Sequence, residues 1–75
     1  SRRTLERLFA QQTGLTLGRW HQRARIRSAL VLLADGRSVA DASAEVGYGS
    51  SSAFVAAFRR QLGDTPARYM ASRRA

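Results

Sequence analysis

Apolar residues along this chain recur at helical rather than strand spacing, which predicts an all-α domain of five helices with no strand. In the first stretch, Ser1 to about Gln12, Leu5, Leu8 and Phe9 fall at i, i+3 and i+4 and form one stripe. A turn of about 100° per residue places Arg3, Arg7 and Ala10 opposite that stripe, with Glu6 and Gln11 on its flanks. Gly14 is suited to end this helix and Thr16 to cap the next.

The second helix, Leu17 to about Ala34, changes sides. Leu17, Trp20 and Ala24 mark one face of its first half, and Ile26, Ala29, Leu30 and Leu33 mark nearly the opposite face of its second half. A helix with one partner keeps one stripe. A stripe that changes sides predicts two cores, one at each end, with the helix as a bridge between two subdomains.

After an Asp35-Gly36-Arg37 turn, Ser38 with Asp41 three residues later resembles a capping box. Val39, Ala42, Ser43 and Val46 follow at i, i+3, i+4 and i+7 and predict a third helix. Gly47-Tyr48-Gly49 turns the chain. Ser50 caps a fourth helix, about Ser51 to Leu62, with Phe54, Ala57, Phe58 and Leu62 as its stripe. Gly63 can adopt positive φ and stop it. Thr65 can cap a fifth helix, Pro66 to about Ser72, with Pro66 at the first position, where its missing N–H costs nothing. Arg73-Arg74-Ala75 is expected to fray. Residues 1–13 and 50–63 repeat a theme: serine, polar or basic residues, an apolar–Phe stripe, then glycine.

Composition narrows the function. The chain has 75 residues, room for one small domain, and its 13 basic residues against 5 acidic give a net charge of +8. Every basic residue is arginine. The charge is uneven, with 8 Arg against 2 acids in residues 1–37 (net +6) and 5 against 3 in residues 38–75 (net +2). Such a balance points to nucleic acid or an anionic membrane. With no cysteine there is no disulfide or thiolate metal site, and the lone histidine, His21, does not make a metal site. No paired carboxylates, nucleophile elbow or phosphate loop marks an enzyme, and no cofactor is expected. The longest apolar run, Ala29 to Ala34, is far shorter than the roughly 20 residues that span a bilayer. Ser1 is not a native start, so the chain is expected to be an excerpt of a longer protein.

A helix-turn-helix needs a scaffold helix, a tight turn and a second helix whose outer face fits the major groove. Helices three and four supply these, with Gly47 in the turn. Ser52, Ala56 and Arg59 point away from Phe54 and Phe58. Ser50, Ser51 and Ala53 stand at the helix start, where recognition helices touch bases. Their base-edge vocabulary is serine hydroxyls and an alanine contact with a thymine methyl. Arg59 and Arg60 come later and suit phosphates. The competing reading of this serine-rich start is capping and solubility alone. The bridging helix spans roughly 27 Å, a little less than the roughly 34 Å of one DNA turn.

Gly47-Tyr48, Phe54, Phe58-Arg59, Gly63, Thr65-Pro66 and Tyr69 together resemble the second helix-turn-helix of the AraC/XylS family of bacterial transcription regulators. Ser1-Arg2-Arg3-Thr4-Leu5-Glu6-Arg7-Leu8-Phe9, then Thr13-Gly14, looks like that family's first recognition helix, and Arg25-Ile26, Ala29 and Leu32-Leu33 like its linker helix. The resemblance implies two helix-turn-helix units joined by a linker, each placing one helix in successive major-groove segments of double-stranded promoter DNA. Residues 1–14 would carry the first recognition helix, 17–34 the linker and 38–72 the second unit. By position, Arg3, Glu6 and Arg7 fall where the first unit reads bases, and Ser51, Ser52, Ala53 and Ala56 where the second does. Arg2 extends the first basic face, and Glu6 either accepts from cytosine N4 or orients Arg2, Arg3 or Arg7. The resemblance also implies a cytoplasmic activator that recruits RNA polymerase and answers a small-molecule effector through a sensor domain outside this chain.

The sequence departs from the pattern in three places. The scaffold helix that the resemblance places before Ser1 is not among these 75 residues, so the first unit is expected to be truncated here. Ser43 replaces a small alanine, and its hydroxyl is expected to bond back to the Val39 carbonyl. Met70 stands where a basic residue commonly follows the tyrosine. The alternative function is a non-specific basic nucleic-acid-binding module, which would need the charge but not the Gly47, Gly63 and Pro66 punctuation. A membrane-active cationic fragment is a weaker reading, because a core explains the Phe54–Phe58 stripe.

Overall fold

The computed structural model describes residues 1–73. It is all-helical among the described residues, with α1 (Arg2–Thr13), α2 (Leu17–Ala34), α3 (Val39–Glu45), α4 (Ser51–Leu62) and α5 (Pro66–Ser72). Of the stretch expected to fray, Arg73-Arg74-Ala75, Arg73 is the C-cap of α5 and residues 74 and 75 lie outside the described residues.

Each helix starts on a hydroxyl that the sequence supplies. Ser1, Thr16, Ser38, Ser50 and Thr65 accept from the backbone N–H groups of Thr4, Arg19, Asp41, Ala53 and Arg68. Each such cap satisfies a donor that the helix leaves orphaned and contributes about 1 kcal/mol. Ser1 is therefore a cap rather than the first helical residue. The capping box at Ser38 is only half made. Ser38 Oγ accepts from Asp41 N–H at 3.0 Å, but the Asp41 carboxylate faces Arg37 at 3.8 Å. Aspartate is one methylene shorter than the glutamate of a full box, and the neighbouring guanidinium attracts it.

The core sits at the C-terminal end of α2. Ile26, Ala29 and Leu33 of α2, Ala42 of α3, and Phe54, Ala57 and Phe58 of α4 are buried. Tyr48, Phe54, Phe58 and Tyr69 run edge to face, with successive ring centroids 5.6, 5.7 and 5.5 Å apart. That geometry suits the ring quadrupoles and adds about 0.5–1.5 kcal/mol per pair beyond area burial. Leu30, expected in the buried stripe, packs half-buried at the edge of this core with Val39, Val46 and Leu62. Ser43 is buried, but its hydroxyl donates to the Ala40 carbonyl at 2.9 Å rather than to Val39. A hydroxyl one rotamer away reaches the i−3 carbonyl as readily as the i−4 one.

The other end of α2 differs from expectation. α1 packs against α2 yet buries no residue. Leu5 and Leu8, two members of its expected stripe, are 63% and 49% exposed. The half-buried positions of α1 are Glu6, Phe9 and Ala10. Phe9 meets Trp20 edge-on at 5.7 Å, and Trp20 is itself 44% exposed. Glu6, Phe9 and Ala10 thus mark the side of α1 that is partly covered, and the two leucines lie outside it. The molecule is elongated, 43 × 26 × 19 Å.

Candidate nucleic-acid interface

α3, the turn at Gly47 and α4 form a helix-turn-helix. The Gly47 and Tyr48 N–H groups donate to the Ala44 and Ser43 carbonyls at 3.1 and 2.9 Å, tying the turn to the end of α3. The Ser43 hydroxyl lies 3.5 Å from Ser51 Oγ, which links the buried side of α3 to the start of α4. Phe54, Ala57 and Phe58 anchor α4 from one side. Helical periodicity then leaves Ser52, Ala53, Ala56, Arg59 and Arg60 on the exposed surface, where they are found.

The predicted residues of this helix divide by occupation. Ser50 Oγ accepts from Ala53 N–H at 3.1 Å, so its acceptor capacity serves the helix start. Ser51 is exposed but its hydroxyl has the Ser43 neighbour. Ser52, Ala53 and Ala56 present a small, smooth surface that a DNA groove edge can approach closely. Arg59 and Arg60 lie in the last turn, where their charge also favours the negative end of the helix dipole.

On α1, Arg2 Nε donates to Glu6 Oε1 at 3.2 Å. Of the three arginines that Glu6 could orient, it takes Arg2. Arg3 and Arg7 are exposed and make no ion pair among the described residues. They are left as exposed guanidiniums free of those ion pairs, and such a fork suits a guanine edge or a phosphate.

One grouping escapes linear spacing. Arg19 and Arg23 of α2 line a recess together with Arg60 of α4. Their four-residue separation puts both on one face of α2, a signal present in the sequence, but only the packing of α4 shows what that face meets. No helix is long and apolar enough to cross a membrane among the described residues.

The helix-turn-helix domain family model matches residues 1–72. The chain belongs to the AraC-type helix-turn-helix family. Among curated relatives, this AraC-type chain is 39% identical over 71 residues to the HTH-type transcriptional regulator NimR of Escherichia coli K12, covering 95% of the chain and 26% of the relative. It is 37% identical over 73 residues to the HTH-type transcriptional regulator RipA of Corynebacterium diphtheriae, covering 97% and 22%. The chain thus spans about a quarter of the length of these relatives. Among solved structures it superposes on the DNA-binding domain of AdpA, a global transcriptional factor crystallised with a target DNA. The TM-score is 0.85 at 39% identity, covering 99% of this chain and 68% of that one.

Proposed function

We infer that this chain is the sequence-specific DNA-binding module of an AraC-type bacterial transcription regulator. In this reading α1 and α4 enter successive major-groove segments of one DNA face, and α2 sets their separation. The observation that carries it is the α3–turn–α4 unit, with an aromatic core behind α4 and an exposed face of small residues in front. Its likeness over 99% of the chain to a domain crystallised with DNA supports the same reading. Arg3 and Arg7, helped by Glu6 and Arg2, serve base recognition from α1. Ser51, Ser52, Ala53 and Ala56 do so from α4, and Arg59 and Arg60 hold phosphates, with Ser50 fixing the helix start. Residues 1–14, 17–34 and 38–72 act as first recognition helix, linker and second helix-turn-helix unit.

The activity of the whole regulator follows from the same reading: it works in the cytoplasm, recruits RNA polymerase, and receives a small-molecule effector through a separate sensor domain. The module itself performs no catalysis. The test is selection of bound sequences from random duplex DNA by this chain. The expected result is a motif with two half-sites about 10–10.5 base pairs apart. Uniform recovery of all sequences would favour the non-specific basic binder instead.

A further inference from the structure

The base-reading and phosphate roles above leave the four arginines of α2 without a task, and two of them share a recess. Arg19 and Arg23 open, with Leu15 and Gln22, onto a recess of about 330 Å³ that is closed on its other side by Arg60 and Gln61 of α4. Three arginines and two glutamines line this recess, and its lining holds no carboxylate residue. The ion pairs of the described residues lie elsewhere: Arg2 with Glu6, Arg37 with Asp41, and Arg68 with Asp64. Gathering like charges without a counter-charge costs free energy. The fold does not require it, because Ile26, Ala29 and Leu33 already hold α2 in the buried core it shares with α4. An anion in the recess relieves the repulsion. Guanidinium forks match two phosphate oxygens at once, and the glutamine amides add donors of the same reach.

The position of the recess selects which phosphate. Leu15 on its rim belongs to the turn after α1, and Arg60 and Gln61 to the last turn of α4. The recess therefore lies between the two helices assigned to the groove. On the DNA-binding reading, a duplex engaged by both helices can be held by its sugar–phosphate backbone at this junction.

We propose that Arg19, Arg23 and Arg60 form a phosphate clamp that grips the DNA backbone between the two major-groove segments. The proposal rests on the DNA-binding reading above and adds a binding site to it. A clamp of this kind contributes affinity but no sequence information, and it fixes the register of α1 relative to α4 on the duplex.

The test compares the wild-type chain with an Arg19→Gln/Arg23→Gln double variant on the selected duplex and on a scrambled one, across a series of salt concentrations. The variant should weaken binding to both duplexes by the same factor. Its log–log salt slope should be shallower by about 0.9 for each phosphate it no longer neutralises. An Arg19→Lys/Arg23→Lys variant should keep most of the slope, since the charge remains. In a second arm, uncharged methylphosphonate linkages replace the phosphates between the two half-sites. They should weaken the wild-type chain by a larger factor than the glutamine variant, which keeps only Arg60 of the clamp. This arm reads the wild-type chain directly, so it stands even where the glutamine variant folds poorly. A glutamine variant with the wild-type slope, or a wild-type chain indifferent to the neutral linkages, overturns the clamp alone. A wild-type chain that selects no motif overturns the DNA-binding reading itself.

Discussion

α1 and α4 follow the same local recipe and end in opposite situations. Both run 12 residues, start on a serine hydroxyl cap and stop on a left-handed glycine whose N–H donates to the carbonyl four residues back. Both carry an apolar stripe with phenylalanine. Yet α4 buries Phe54, Ala57 and Phe58, and α1 buries nothing. Caps and glycine stops decide where a helix begins and ends, because they act on its own backbone groups. Whether its stripe is buried depends on what stands opposite. α4 faces α2, α3 and α5, whereas α1 packs against α2. Most helical stability in proteins comes from such packing rather than from propensity, so α1 should be the less protected helix.

The largest effect tests that contrast directly. Phe58 is fully buried, and Phe→Ala in a core costs about 3–5 kcal/mol. A domain this small has little stability in reserve, so Phe58→Ala should unfold most of the chain at room temperature. Phe9→Ala, at a half-buried position, should cost less than half as much. Amide exchange should show its damage confined to residues 1–14. Equal losses of thermal stability in the two variants would erase the distinction between the helices.

The sequence showed the helices more clearly than it showed the burial. All five helices were legible because their punctuation is local: hydroxyl caps, glycine stops and Pro66 at a helix start. The α4 stripe was legible because its partners, Ile26, Ala29 and Leu33, carry a matching stripe on α2. Leu5 and Leu8 were misassigned because periodicity identifies a face without saying whether anything covers it. Leu30 was misplaced for a related reason, standing on the core side of α2 but at its rim. The side-chain bonds of Asp41 and Ser43 were beyond reach, since a choice between neighbouring partners on one helix turn rests on a rotamer that spacing does not fix. The α4 face was readable as the outward side of a known stripe. The Arg19–Arg23–Arg60 grouping was not, because it joins residues some 40 positions apart in sequence through helix packing.

The next contrast concerns what each helix gives to DNA. Arg7 is an exposed, unpaired fork on α1. Arg7→Ala should cost about 1–3 kcal/mol on the selected site and relax specificity at one base pair. Arg59→Ala on α4 should weaken selected and random duplexes alike. If both variants lose affinity equally on both duplexes, the division between base-reading and phosphate-holding arginines is wrong.

Gly14 and Gly63 sharpen the comparison without touching a side-chain contact. Both sit at positive φ, 73° and 86°, and an added Cβ would meet nothing within 4 Å at either. The cost of alanine is therefore purely conformational, about 1–2 kcal/mol for the left-handed region. Gly63→Ala should lower the unfolding midpoint of the whole chain, because α4 and α5 are coupled to the core. Gly14→Ala should appear only as faster amide exchange near residues 10–14. A global shift from Gly14→Ala would mean that α1 is coupled to the core more tightly than its burial indicates.

The smallest effect probes the well-packed end itself. The Tyr48 ring packs edge-on to Phe54 at 5.6 Å, and the Arg25 guanidinium lies 5.8 Å from its centroid. Its hydroxyl, however, is buried and has no hydrogen-bond partner among the described residues. A buried polar group left unpaired costs about 1–3 kcal/mol, so the end of the molecule with the complete core also carries a defect. Tyr48→Phe keeps the ring and both aromatic contacts and removes only that oxygen. It should leave stability unchanged or raise it by up to about 1 kcal/mol, read as the urea midpoint at constant m-value. A drop of more than about 1 kcal/mol would show that the hydroxyl is bonded after all. Part of the stability separating the α4 end from the α1 end would then come from a polar contact rather than from apolar packing.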